Sequence, residues 1–270
     1  MYSFLWMIWI LYVRCVDDFV LIIFEKEFMI PKIIHLCWFS EESFPVEIKI
    51  CLASWKRILP DYTIRLWTYA DALAIGCDYV SEALSVKKWA FAADYIRLHA
   101  LYTEGGIYLD SDVRVLKSFD VFLSDPAFSA IEFNPKMYPI AVQNGFFDDE
   151  GNLLYDSIQI GLGLQVQAAV IGAEKGNSYI KSCLDYYVGK NFILADGLFN
   201  NKIILPDIMA FYARNFGFKY INREQKLLNV KFYVSEVFAP HPKLVTSKSY
   251  AIHCCTGTWR KKTWLRKFIE

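Results

Sequence analysis

The chain has no long uninterrupted apolar run. Near its start Tyr2–Val13 is apolar for 12 residues, then Arg14, Asp17 and Asp18 intervene before a second run, Phe19–Phe24. Neither reaches the ~20 residues that a membrane-spanning helix requires. No basic stretch precedes the first run and no A-x-A site follows it, which argues against a secretory leader. Charge of one sign is lacking too: 29 Lys and Arg balance 29 Asp and Glu. That balance argues against a nucleic-acid-binding surface. The seven cysteines include no C-x-x-C and no metal-ligand spacing. They read as reduced, mostly buried thiols of a cytoplasmic protein, and the adjacent Cys254-Cys255 takes no role. Internal repeats and low-complexity tracts are also missing, which excludes solenoids and linker-like proteins.

What is present centres on Lys87–Leu116, KKWAFAADYIRLHALYTEGGIYLDSDVRVL. Apolar residues at Trp89, Ala92, Ala93, Ile96, Leu98 and Leu101 approximate a 3.6 period and predict a helix. Gly105-Gly106 ends it. Ile107, Tyr108 and Leu109 then begin a strand that delivers Asp110 and Asp112 to its end. In a strand, residues i and i+2 share a side, so the two carboxylates would converge. Close carboxylates repel unless a positive charge lies between them, and Mg²⁺ or Mn²⁺ prefers such hard oxygen ligands. An isolated DxD is more often a surface turn than a metal site. Here Asp94 and Arg97, at i and i+3, share one face of the helix just upstream. Their segment is too apolar to be a solvated face, and a buried charged pair must be hydrogen-bonded to something. A surface ion pair and a ligand-binding pair are the two readings.

The pattern AxxADYxRxxxLYxxGGIYLDxDV, with PKIIHLCWF near the start and IHCCTGTW near the end, resembles glycosyltransferase family 32. Its relatives include bacterial capsular-polysaccharide sugar transferases, Och-type mannosyltransferases and, more distantly, the glucosylating cytotoxins. The resemblance covers roughly Ile30 to Trp259. It implies a GT-A-like, nucleotide-sugar-binding α/β/α sandwich with a mostly parallel central sheet. It implies a retaining, metal-dependent transferase that moves a hexose from UDP- or GDP-hexose to a glycan or lipid-linked acceptor in surface polysaccharide synthesis. Asp110, Asp112 and His253 would hold Mn²⁺ or Mg²⁺, and Trp38 would stack on the nucleotide base. Asp94 would bond sugar hydroxyls, Arg97 the sugar or β-phosphate, and Tyr108 would line the same pocket. Thr258 and Trp259 would face the diphosphate. Each has a plainer reading: Trp38 a core filler, His253 a structural loop histidine. No carboxylate announces itself as nucleophile or general base, so none is assigned.

The rest of the chain fits that scheme. Ile30–Phe39 reads as a buried parallel strand with His35 a satisfied core histidine. A helix over Phe44–Leu59 and a strand over Tyr62–Tyr69 complete a βαβ opening. Phe128–Phe133 reads as a strand, and residues 134–163 as a long, unstructured, acceptor-side insertion. A strand around Ile158–Ile171 should end in a small-residue turn beside the sugar, where Lys175 either meets a phosphate or is solvated. Helices are predicted over Ser178–Val188 and Pro206–Phe216, and a short strand over Tyr250–His253. Residues 1–28 are either an upstream extension, a membrane-associating segment or a structured element, ahead of a single domain over 29–270. The basic end, Arg260–Lys267, is either a solvated helix or a contact for the inner membrane face. Two other classes were weighed. A haloacid-dehalogenase-type phosphotransferase places its DxD near the domain start, and here the motif comes late. A non-catalytic glycan-binding relative would not need every motif residue together.

Overall fold

The computed structural model describes residues 10–16, 19–25 and 29–255. Strands β1 (Ile10–Val16) and β2 (Phe19–Glu25) pair antiparallel as a separate two-stranded sheet. The main sheet begins with β3 (Ile33–Cys37), followed by α1 (Val46–Ile58) and β4 (Thr63–Trp67), with β3 and β4 parallel. This is the expected βαβ unit. The link to the next helix is more regular than its sequence suggests. It contains α2 (Tyr69–Ala74), closed by a capping box between Thr68 and Asp71, and α3 (Asp78–Ser85).

Helix α4 (Trp89–Glu104) is the central helix read from the sequence, and its buried side carries Ala92, Ala93, Ile96, Arg97, Leu98, Ala100 and Leu101. Two glycines turn it directly into β5 (Gly106–Leu109). Gly106 has φ +115°, and a Cβ there would lie 2.7 Å from the Ile33 carbonyl oxygen. The glycine therefore lets β5 seat flush against β3. His35 is fully buried: its Nε2 lies 2.7 Å from the Gly105 carbonyl, and Trp67 Nε1 donates to Nδ1. It is a satisfied core histidine, as expected.

Beyond β5 come β6 (Val113–Val115), β7 (Ala127–Phe133), α5 (Tyr138–Gln143), β8 (Leu164–Val166) and β9 (Val170–Ala173). Then follow α6 (Ser178–Asp185), α7 (Leu205–Ala213), β10 (Gln225–Lys226), β11 (Lys231–Tyr233), β12 (Phe238–Ala239) and β13 (Ala251–His253). The main sheet runs β10-β11-β7-β9-β5-β3-β4, with β8 attached to β7. Strands β4, β3, β5, β7 and β11 run one way; β9 and β10 oppose them. The sheet is thus mostly parallel, as expected, with an antiparallel β9 inserted beside β5.

Alternation along the strands builds a core on each face. On β5, Tyr108 faces the core of α3, α4, α6 and α7. Ile107 and Leu109 face the other, with Trp55 of α1, Phe119, Phe122 and Phe238. The second core is roofed by a small sheet in which β13 pairs parallel with β12 and antiparallel with β6. Trp55 Nε1 donates to the Val113 carbonyl at 2.7 Å and anchors α1 on β6. No helix among the described residues is long and apolar enough to cross a membrane.

Two expectations are corrected here. Residues 134–163 are not wholly irregular: α5 forms within them, with Tyr138 donating to the Tyr220 carbonyl. And because β9 is antiparallel to β5, the turn after it lies beside the start of β5, at the sheet edge away from Asp110. Lys175 is exposed in that turn. The segment before β9 approaches the aspartates instead.

Candidate active site

Strand β5 ends at Leu109, and the next residues form a turn closed by Val113 N–H donating to the Asp110 carbonyl at 2.9 Å. Asp110 and Asp112 therefore come together across a turn rather than by alternation along a strand. β6 leads away from that turn, and β13 lies antiparallel to it with His253 opposite Val113. The Cys254 amide donates to the Asp112 carbonyl at 3.0 Å, which locks the late segment onto the turn. One ligand atom each from Asp110, Asp112 and His253 lies within 4.8 Å of the others. His253 Nε2 is 3.3 Å from Asp112 Oδ1 and 3.9 Å from Asp110 Oδ2.

The electrostatics of this triad call for a positive charge. Burial by itself would lower the His253 imidazole. Hydrogen bonds to Asp112 and Cys255, and the charge of the two aspartates, carry it up to about 11. A divalent cation among the three groups would take the place of that proton, since metal binding displaces protons from its ligands. Two carboxylates and one imidazole can hold a divalent cation.

Behind the triad stands a buried polar network. Arg97 is 5% exposed. Its Nη2 is 3.0 Å from Asp94 Oδ1 and its Nη1 is 3.3 Å from Asp110 Oδ1. It also donates to the carbonyls of Ala93 (3.2 Å) and Ala168 (2.6 Å). Its guanidinium lies 4.4 Å from the Tyr108 ring centroid, and the Tyr108 hydroxyl donates to Asp110 Oδ1 at 2.8 Å. Burial raises the Asp94 carboxyl to about 6, with Arg97 opposing and Asp110 assisting. Tyr108 is buried beneath Asp110 and braces it.

Trp38 follows β3 at the same sheet edge. The register Ile34 with Ile107 and His35 with Tyr108 puts it just beyond the level of Asp110. It is partly exposed, with its ring 4.7 Å from that of Phe44 and its Nε1 donating to the Glu42 carbonyl. Thr258, Trp259 and the basic end lie outside the described residues. Cys254-Cys255, given no role from sequence, flanks the triad. The Cys254 thiol is held down to about 7, chiefly by its hydrogen bond with Cys51 of α1.

The structure adds polar residues that the motifs did not reveal. Leu109 pairs with Val170, and the register of β7 on β9 puts Ala130 level with Val170. Glu132 thus stands level with the Asp110–Asp112 turn, two strand spacings or about 10 Å across. Burial raises its carboxyl, while the charge of His253 lowers it and that of Asp207 raises it. Gln165, directly opposite Glu132 on β8, donates to Asp207 Oδ1 on α7. An acidic residue ending the apolar run AFSAIEF was the available sequence signal.

The sequence profile for the glycosyltransferase sugar-binding region containing the DXD motif matches residues 45–129. Inositol phosphoceramide mannosyltransferase 3 of Schizosaccharomyces pombe is 35% identical over 102 residues, which cover 36% of this chain and 28% of that protein. The chain thus matches little more than a quarter of that relative's length. Among solved structures, PaToxG Glycosyltransferase is similar with a TM-score of 0.47 and 18% identity, over 69% of this chain and 70% of that one.

Proposed function

We propose that this chain, which belongs through residues 45–129 to the glycosyltransferases with a DXD-containing sugar-binding region, moves a hexose from a nucleotide sugar to a glycan or lipid-linked acceptor. The observation that carries this is the meeting of Asp110, Asp112 and His253 in front of the buried Asp94–Arg97 pair. The relative named as a mannosyltransferase of inositol phosphoceramide supports a hexose donor and an acceptor attached to lipid. Surface polysaccharide synthesis at the inner membrane face, and retention of the anomeric configuration, are the finer readings we propose from the resemblance.

In this reading Asp110, Asp112 and His253 hold Mn²⁺ or Mg²⁺. The ion's contribution is to neutralise charge on the departing nucleoside diphosphate. The donor lies across the carboxyl ends of β3 and β5, where open α/β sheets bind ligands. Trp38 stacks on the base. Asp94 accepts from sugar hydroxyls. Arg97, whose donors are engaged by Asp94, Asp110, Ala93 and Ala168, fixes the carboxylates that face the ligands. Tyr108 does the same for Asp110. The resemblance assigns Thr258 and Trp259, which lie outside the described residues, to the diphosphate.

The test is a thermal-shift panel against UDP- and GDP-sugars with and without Mn²⁺, alongside Asp112→Ala. A ligand that binds only the folded state raises the melting temperature by mass action. The expected result is a Mn²⁺-dependent rise with one nucleotide that the variant loses, together with Mn²⁺-dependent release of nucleoside diphosphate. A folded protein that no sugar nucleotide stabilises would sink the reading.

A further inference from the structure

The sheet edge that carries Asp110 and Asp112 continues past them as a second, partly buried polar cluster. Glu132, the penultimate residue of β7, stands level with the aspartate turn. It lies on the same face of the strand as Phe128 and Ala130, turned toward the small sheet that carries His253. No side chain among the described residues donates a hydrogen bond to Glu132. Gln165 lies opposite it and is oriented by Asp207. Gln167, two residues along on that face, is 2% exposed; its Nε2 donates to the Phe238 carbonyl at 2.8 Å, and its Oε1 has no partner among the described residues. A buried acceptor without a donor is costly, and such groups in native structures call for a ligand or water.

Charge divides this edge into two halves. A nucleoside diphosphate is anionic and fits the side of Trp38 and the cation. Glu132 and Asp207 would repel it. Their side suits a neutral molecule rich in hydroxyl donors: carboxylates only accept hydrogen bonds, and Gln165 offers a further amide oxygen. We propose that Glu132 and Gln165, backed by the buried Gln167 and Asp207, form the acceptor subsite and take an uncharged sugar or polyol. The Glu132 carboxylate accepts a hydrogen bond from its attacking hydroxyl. This rests on the transferase reading above and names the acceptor side of the same site.

Two measurements test it on the full chain, comparing Glu132→Gln with the wild type. The first is Mn²⁺-dependent binding of UDP and GDP by calorimetry. The second is release of nucleoside diphosphate from sugar nucleotides with methyl α- and β-hexopyranosides as acceptor probes. The variant should bind nucleotide within about twofold of wild type. Its KM for the stimulating glycoside should rise about tenfold or more, the scale of a lost charge-assisted hydrogen bond. Glu132→Asp should recover part of that loss. Retained nucleotide binding shows that the fold and the metal side are intact, a readout that a merely structural role for Glu132 would disturb. Equal stimulation of variant and wild type would overturn the subsite. So would a wild type that binds nucleotide but is stimulated by none of the neutral glycosides. A wild type without Mn²⁺-dependent nucleotide binding would instead fail the transferase reading, and the subsite with it.

Discussion

Arg97 on α4 and Asp110 at the end of β5 are joined at 3.3 Å, and Asp94 holds the same guanidinium from the other side at 3.0 Å. One buried guanidinium thus fixes two carboxylates, to which the proposed function gives a sugar-side and a cation-side task. Replacing Arg97 by Met leaves both carboxylates without their partner, with Asp94 largely withdrawn from water. Breaking a buried pair in this way costs about 3–5 kcal/mol. The melting temperature should fall on the order of 10 °C, measured by calorimetry without ligand. A fall of only one or two degrees would show that Asp94 and Asp110 are solvated without Arg97.

Asp94 should make stability depend on pH. Its carboxyl is raised to about 6 from 3.8, chiefly by burial, which outweighs the pull of Arg97. The folded protein holds this proton more tightly than the unfolded chain. The corresponding stability is fully present below pH ~4 and is lost as pH rises through ~6, about 3 kcal/mol in all. Asp94→Asn stays neutral throughout. Wild type should therefore lose stability relative to this variant between pH 4 and 7, seen in paired denaturant titrations. A constant difference across that range would contradict the assignment.

Gly106→Ala should be more damaging than Gly176→Ala. Both glycines have positive φ, +115° and +75°, but a Cβ at Gly106 meets the Ile33 carbonyl at 2.7 Å and one at Gly176 meets nothing within 4 Å. The first change adds a steric clash with backbone to conformational strain, and should cost ~2 kcal/mol or more. The second carries strain alone, ~1 kcal/mol. Chemical denaturation of the two variants side by side measures the difference.

Trp38→Ala should weaken nucleotide binding and leave the fold intact. The indole is partly exposed and rests on Phe44 at the edge where β3 meets β5. Loss of a stacked base contact corresponds to about 1–3 kcal/mol, or tenfold and upward in affinity. Calorimetric titration with UDP and GDP in the presence of Mn²⁺ gives the comparison. Unchanged affinity would make Trp38 a brace for the loop that Glu42 and Phe44 complete.

Much was legible in the chain alone because it depends on neighbours in sequence. The apolar spacing of Trp89–Leu101 dictated α4, the glycine pair dictated the turn, and the i, i+3 spacing of Asp94 and Arg97 dictated their pairing. The strand–helix–strand opening and the burial of His35 followed from short apolar runs. What the tertiary structure decided was which distant segments share an edge. Strand β9 inserts antiparallel beside β5, so it sends Lys175 away and brings Ala168 to Arg97. Strand β13 pairs with β6, so His253 reaches Asp112. Glu132 and Asp207 meet through Gln165 only because β7 ends and α7 begins at that edge. Periodicity records which face of its own element a side chain occupies. Which other element that face meets is set by sheet order and strand direction, and these arise from packing of the whole chain.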